Sequence, residues 1–172
     1  MDRKKLAEAG LLTCIALIIF VVEAQIPLPV NIPGMKLGLA NIVTVYAVYR
    51  CGGREAAMIL TARIILGAIF AGNPSAIIYS MSGGVLCLLG MLLAKKFIDE
   101  RHIYISSIIG ALLHNTGQLI AAAFVAGTVS VFAYFPVLSL FGCIAGLFTG
   151  ICAQITINRI GEKKNDKETH NR

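Results

Sequence analysis

The hydrophobic residues of this 172-residue chain lie in long blocks that are separated by short polar breaks. None of the blocks alternates between polar and apolar positions, the pattern that the strands of a membrane barrel require. Blocks of roughly 20 apolar residues have the length that a helix needs to cross a bilayer. We therefore predict an all-α bundle of six transmembrane helices, over Leu6–Ile26, Lys36–Tyr49, Ala56–Gly72, Ala76–Ala94, Ile103–Gly127 and Val131–Ile157.

The composition supports a membrane protein. Hydrophobic residues make up 57% of the chain and charged residues 14%, and the mean hydropathy is +0.79. A water-soluble domain averages about 25% charged residues, so this class is excluded. We predict a six-helix membrane domain over residues 1–158 and a charged cytoplasmic tail without regular structure over residues 159–172. The expected location is the plasma membrane, with several crossings and the lipid bilayer as a partner.

The positive charges fall on one side of this topology. The net charge is +6, and thirteen of the fifteen lysines and arginines lie before the first segment, after the sixth, or in the second and fourth connections. This asymmetry marks the cytoplasmic side of a membrane protein, so both termini are predicted to be cytoplasmic. It also explains the basic character of the chain, and we expect no nucleic-acid partner.

Seven polar residues fall inside the apolar segments or at their edges, where ionisable groups are costly and usually functional. Most of them lie between the membrane centre and the outer surface of the predicted topology. We predict that they form a substrate-binding site: Glu23, Lys36, Asn41, Arg63, His114, Asn115 and Gln118. Glu23 and Lys36 flank the proline-rich residues 27–34, which we expect to form the outer rim of the site.

Five of these residues also allow a structural interpretation. Glu23 and Lys36 could extend to water as interfacial side chains. Arg63 could pair with Glu23 or contact an anionic ligand, and His114 and Asn115 could join neighbouring helices by hydrogen bonds. The two cations favour an anionic ligand. The sequence does not determine whether Glu23 pairs with Lys36 or with Arg63.

The second segment is short for a membrane span. Lys36–Tyr49 has 14 residues, or about 21 Å of helix, whereas the hydrocarbon layer is roughly 30 Å thick. We therefore expect the preceding proline-rich stretch to dip into the membrane, as irregular backbone can where it lines a cavity.

Small residues predict how the helices pack. Gly142, Gly146 and Gly150 recur at four-residue steps in the sixth segment, and this doubled G-x-x-x-G pattern allows close helix approach. Small residues of the fourth segment, Ser82–Gly84 and Gly90, are candidates for the opposing surface.

The chain lacks the patterns of common catalytic and metal sites. Its five cysteines are scattered without a C-x-x-C pair, so we expect no disulfide, no metal and no cofactor. Prenyl-chain synthesis needs two aspartate-rich clusters to hold magnesium on a diphosphate, whereas the nearest acidic run here is Asp99-Glu100. There is also no P-loop and no nucleophile motif. We predict no catalytic residue and no enzyme activity in this chain.

Three stretches carry a family resemblance: "IPGMKLGLANIVTVYAVY", "GNPSAIIYSMSGG" and "GALLHNTGQLIAAAF". Together, and in this order, they resemble the Gx transporter family, which is also labelled heptaprenyl diphosphate synthase component I. The resemblance extends from Leu11 to Gln154. That family is similar to the substrate-binding S-components of energy-coupling factor (ECF) transporters, which have six helices, a pocket that opens outward and cytoplasmic termini.

The resemblance implies a function and partners. It implies a membrane subunit that captures a small molecule from outside and delivers it through ECF-type transmembrane and ATPase subunits, and Lys36 and Arg63 favour an anionic one. An isoprenoid diphosphate and a flavin are both consistent ligands. Two alternatives stay open. One is a non-catalytic membrane accessory subunit of a heptaprenyl diphosphate synthase or of a quinone- or flavin-linked redox complex. The other is a self-sufficient transporter or channel.

Overall fold

The described part of the chain forms six α-helices and no strand. This computed structural model describes residues 3–23, 25–26, 36, 38–72 and 74–170, with the side chains of all of these except 75 and 162–170. Two 3₁₀ helices, Glu100–His102 and Val129–Tyr134, precede the last two α-helices. The α-helices are α1 (Arg3–Glu23), α2 (Asn41–Arg50), α3 (Gly53–Ala71), α4 (Ser75–Ala94), α5 (Ile103–Ala126) and α6 (Phe135–His170).

Four of these helices, α1, α4, α5 and α6, are long and apolar enough to cross a bilayer. α3 has 19 residues but carries Arg54, Glu55 and Arg63. α2 has 10 residues, or about 15 Å of helix. The prediction of an all-helical membrane protein is confirmed, and length and composition support four spans. The count of six spans and the cytoplasmic termini stay predictions.

α2 begins later than the sequence predicted. Gly38 has a φ of +83°, a backbone conformation that glycine adopts readily and that lies outside the right-handed helix. The chain therefore becomes helical at Asn41 instead of Lys36. The resulting short helix lies at the centre of the protein, where it contacts all five other α-helices. Surrounding protein is the setting in which a helix shorter than the bilayer is tolerated.

The remaining helices pack around α2 in two groups. α1 packs on α3, and α5 lies between α4 and α6 with extensive contacts to both. α1 and α6 leave most of their apolar side chains exposed, for example Ile18 and Phe148. Because these helices are also long and apolar, the exposed surfaces are those expected to face lipid.

The three glycines of the α6 pattern, Gly142, Gly146 and Gly150, all face α5. A Cβ atom at Gly146 would lie 2.9 Å from the Cα of Ile108, and one at Gly150 would lie 2.5 Å from the Cα of Tyr104. These distances are too short for any side chain. The two helix backbones therefore approach each other closely along this surface.

The small residues of α4 do not oppose the glycines of α6, contrary to the prediction. Gly83 and Gly90 also face α5, where they contact His114 and Leu113. The reason is the position of α5 between α4 and α6. Both glycine surfaces pack against this one helix, from opposite sides.

α6 continues as a helix through the charged residues 159–170, where the sequence favoured a tail without regular structure. Lys and Glu are good helix formers. A helix that is already formed in the bundle also extends without the cost of a new nucleus.

Candidate functional site

Contacts between helix ends bring basic residues together at one end of the bundle. Lys5 of α1 lies 3.8 Å from the carboxylate of Glu55 on α3. Lys95, which follows α4, donates hydrogen bonds to the carbonyl oxygens of Val48 (2.9 Å) and Tyr49 (3.3 Å) near the end of α2. We call this region the basic end. The candidate site lies at the other end of α2.

Glu23, the last residue of α1, holds the segment that leads into α2. Its carboxylate accepts hydrogen bonds from the backbone N–H groups of Gly38 (2.5 Å) and Ala40 (3.4 Å). N–H groups at the start of a helix lack partners within the helix, and a negative charge there is favourable. Glu23 is 4% exposed. It therefore anchors the start of α2 from inside the protein.

The two cations of the predicted site share one aromatic neighbour. The Nζ atom of Lys36 lies 3.3 Å from the centre of the Phe20 ring, and the Cζ atom of Arg63 lies 5.9 Å from it. Phe20 and Arg63 are buried. Among the described residues, no carboxylate lies within 4.0 Å of either cation. The Glu23 carboxylate is occupied by backbone N–H groups, so neither expected ion pair of Glu23 is formed.

α5 contributes His114 and Gln118, which lie one turn apart and are both buried. In the orientation that satisfies both amide atoms, Gln118 donates to the carbonyl oxygen of Lys36 (3.0 Å). Its oxygen accepts from the N–H of Lys36 (3.3 Å) and from Nε2 of His114 (3.2 Å). This orientation is assigned from the hydrogen bonds that it makes. Gln118 thereby fixes the backbone of Lys36 beside His114.

Asn115 is directed toward α6. Its Nδ2 atom donates to the carbonyl oxygen of Leu138 (2.6 Å), and a Cβ atom at Gly142 would lie 2.5 Å from it. This contact favours the interpretation of Asn115 as a residue that joins two helices, over a role in ligand binding.

Five residues of the predicted site carry buried side-chain atoms that have no hydrogen-bond partner among the described residues. These atoms are Nζ of Lys36, both amide atoms of Asn41, Nη2 of Arg63, Nδ1 of His114 and Oδ1 of Asn115, whose Nδ2 is paired with α6. A Cβ atom at Gly38 would lie 2.8 Å from Nδ2 of Asn41 and 3.2 Å from Cδ2 of His114, so these two side chains meet at one point. We define the polar cluster as Glu23, Lys36, Asn41, Arg63, His114 and Gln118.

The polar cluster is chemically unlike a structural core. Polar atoms buried in proteins are nearly always paired, and an unpaired one typically costs about 1–3 kcal/mol. Lys36 and Arg63 supply two positive charges, while Glu23 supplies one negative charge that the start of α2 already uses. An anionic ligand would supply acceptors for the unpaired donors and offset the remaining positive charge.

The sequence did not single out Phe20 or Gly38. Phe20 reads as one more apolar residue of α1, although it lies three residues before Glu23 and so shares its face of the helix. Gly38 lies within the second predicted helix, Lys36–Tyr49, where the sequence gives no sign of its special conformation. Residues 27–34, the predicted rim and inward dip, lie outside the described residues, so those two expectations stay predictions.

A groove of different chemistry opens between α1, α2 and α6. Its volume is about 350 Å³, and most of its lining is aliphatic, for example Leu12, Ile19 and Ile42. Its described lining contains Glu8 but neither lysine nor arginine. The groove therefore offers an anion no cation.

The described cysteine, histidine and acidic side chains form no group of three or more that could hold a metal ion. Cys51, between α2 and α3, lies 3.8 Å from a carboxylate oxygen of Glu8. Burial, reinforced by that carboxylate, raises the pKa of the Cys51 thiol to about 11. The thiolate is the reactive form of cysteine, so Cys51 is expected to react slowly at neutral pH.

Comparison with known proteins gives one match. The family model described as heptaprenyl diphosphate synthase component I matches residues 12–156, a range that includes every residue of the polar cluster. No curated protein and no solved structure matches the sequence significantly.

Proposed function

The chain belongs to the heptaprenyl diphosphate synthase component I family, and from this premise we propose that it is a non-catalytic membrane subunit that binds a small anionic molecule through the polar cluster. The family description names one component of a synthase, which implies a partner subunit. The observation that carries the proposal is the set of buried polar atoms on Lys36, Asn41, Arg63 and His114 that have no hydrogen-bond partner in the described part of the chain.

In this proposal Lys36 and Arg63 bind the anionic group. Charge-assisted hydrogen bonds of this kind are roughly twice as strong as neutral ones. Asn41 and His114 bind neighbouring polar atoms of the ligand, while Glu23 and Gln118 hold the backbone around Lys36 in place. Asn115 has a packing role between α5 and α6.

The direction of binding follows from charge. Thirteen of the fifteen lysines and arginines belong to the predicted cytoplasmic side, and the polar cluster lies at the opposite end of α2 from the basic end. We propose that the ligand enters from outside and passes onward with the help of ECF-type transmembrane and ATPase subunits. The resemblance of the three sequence motifs to the S-component-like Gx transporter family supports this finer proposal.

A second candidate function is supported by the family description itself. The protein would then be an accessory membrane subunit that assembles with a separate catalytic prenyl synthase, and the polar cluster would bind the diphosphate of its substrate or product. Gentle purification separates the two candidates. Co-purified ATPase and transmembrane coupling subunits support the first, and a co-purified prenyl synthase supports the second.

Mass spectrometry of small molecules released from the purified protein tests the binding proposal. Wild-type protein should release a compound with a phosphate or carboxylate group, and Arg63→Gln should not. Arg54→Gln is the matched control, because Arg54 is an exposed arginine of the same helix. If Arg63→Gln releases the same compounds in the same amounts as wild type, the polar cluster is not the binding site.

A further inference from the structure

Phe20 has no charge, but it lies beside both cations of the polar cluster. It is 2% exposed. Its ring centre lies within 6 Å of both the Nζ atom of Lys36 and the Cζ atom of Arg63. Two buried cations repel each other unless something attracts both. The face of an aromatic ring attracts a cation through its quadrupole.

Gly67 of α3 leaves space for the Phe20 ring. A Cβ atom at Gly67 would lie 2.9 Å from Cε1 of Phe20 and 3.1 Å from its Cδ1. Gly67 lies one turn after Arg63 on α3, and Phe20 lies three residues before Glu23 on α1. The α1–α3 interface therefore brings together the ring, the guanidinium group and the carboxylate that anchors α2.

An aromatic ring differs from a carboxylate as a neighbour of a cation. A carboxylate would accept hydrogen bonds from the N–H groups of Lys36 and Arg63 and would compete with an anionic ligand. The ring attracts the charge but occupies few of these donors, and Nζ of Lys36 and Nη2 of Arg63 indeed have no hydrogen-bond partner among the described residues.

We propose that Phe20 is a positioning residue that holds Lys36 and Arg63 ready to bind a single phosphate-type group of the ligand. This inference rests on the proposed function and adds to it a further residue and a ligand class. A phosphate group carries about −1.5 to −2 charges and three acceptor oxygens at neutral pH, which matches two cations with free donors. A carboxylate, with one charge, would match them less well.

The experiment measures binding of two probes, inorganic diphosphate and acetate, to the full chain in mild detergent by calorimetry. Wild type should prefer diphosphate. Phe20→Leu keeps an apolar side chain but removes the ring, and should weaken diphosphate binding at least tenfold while changing acetate binding less. The selectivity between the two anions is the decisive readout, because a general loss of packing would weaken both. Phe70→Leu is the control, as Phe70 is exposed on α3.

A second variant covers the case in which Phe20→Leu does not fold. Gly67→Ala keeps the ring but displaces it, and should weaken diphosphate binding severalfold with a loss of selectivity. If the folded variants bind diphosphate within twofold of wild type and Arg63→Gln does not bind it, Phe20 is not a positioning residue. The proposed function would still hold in that case. Wild type that binds no diphosphate, or Arg63→Gln that binds it normally, overturns both.

Discussion

The two ends of α2 are both held by a charged side chain from another helix, yet their surroundings differ. At the basic end, Lys95 donates to the carbonyl oxygens of Val48 and Tyr49, and the Tyr49 hydroxyl lies 2.6 Å from that of Ser106. At the other end, Glu23 accepts from two N–H groups, but its polar neighbours carry buried atoms that no described residue pairs with.

The difference is the basis on which we propose structural roles for some of these polar residues and binding roles for others. Both ends belong to one short helix that contacts the same bundle, so burial alone does not explain why one set is paired. The Glu23 carboxylate lies at the positive end of the α2 dipole, and the Lys95 ammonium group lies at its negative end. These two residues therefore have a sufficient structural explanation. The unpaired atoms of Lys36, Arg63 and Asn41 have none within the described residues. We therefore propose a structural role for Glu23 and Lys95 and a binding role for these unpaired atoms.

The largest loss of stability is expected from Glu23→Gln. This change removes the charge from the hydrogen bonds to Gly38 and Ala40, and bonds of that kind contribute about 1.5–3 kcal/mol. Thermal unfolding of detergent samples measures the loss, with Glu8→Gln, an exposed acid of the same helix, as the control.

A double variant that combines Glu23→Gln with Arg63→Gln is measured in the same thermal unfolding experiment. Because the two side chains form no ion pair, the second change should restore less than half of the lost stability. Restoration larger than the effect of Arg63→Gln alone on wild type would show that Glu23 and Arg63 act as a pair, and the assignment of Glu23 to α2 would then be wrong.

Gly146→Leu should destabilise the protein without affecting the ligand. Gly146 packs against Ile108 in the part of α5 that precedes His114, and overpacking there costs about 1–3 kcal/mol. The unfolding temperature should fall while the affinity for inorganic diphosphate stays within twofold of wild type. Gly10→Ala is the control, because no atom lies within 4 Å of the added methyl. Unchanged stability of Gly146→Leu would contradict the close α5–α6 packing.

Lys95→Met should have a smaller effect of the same kind. It removes the donor from the last carbonyls of α2, and because Lys95 is half-exposed, solvent screening should lower the contribution of its hydrogen bonds to about 1 kcal/mol. Lys96→Met changes an exposed neighbour and should be neutral. A large loss of diphosphate affinity in Lys95→Met would show that the two ends of α2 are not independent, and the comparison would fail.

The helices were largely predictable, because their boundaries contain strong local signals. The fourth segment was predicted at Ala76–Ala94 and lies at Ser75–Ala94, and the fifth at Ile103–Gly127 lies at Ile103–Ala126. An Asn-Pro pair precedes α4 and charged residues separate it from α5. Such signals act within a few residues, so the sequence displays them directly.

The details of the site depend on contacts between distant residues, which the sequence does not display. The start of α2 shifted because Glu23 binds the N–H of Gly38, fifteen residues away. Asn115 is directed to Leu138, twenty-three residues away. Phe20 has the same side chain as the phenylalanines that face lipid, and its position opposite Gly67 distinguishes it only in the folded protein.

We propose that Arg63 is held for an anion, and the decisive test is the thermal stability of Arg63→Gln with and without inorganic diphosphate. Diphosphate should raise the unfolding temperature of wild type in proportion to the logarithm of its concentration, as linkage requires once the site is nearly saturated. Without diphosphate, Arg63→Gln should unfold at the wild-type temperature or above, because it removes a costly buried charge, and diphosphate should not change it. A strongly destabilised Arg63→Gln, together with a wild type that does not respond to diphosphate, would show that Arg63 is structural and that it is not held for an anion.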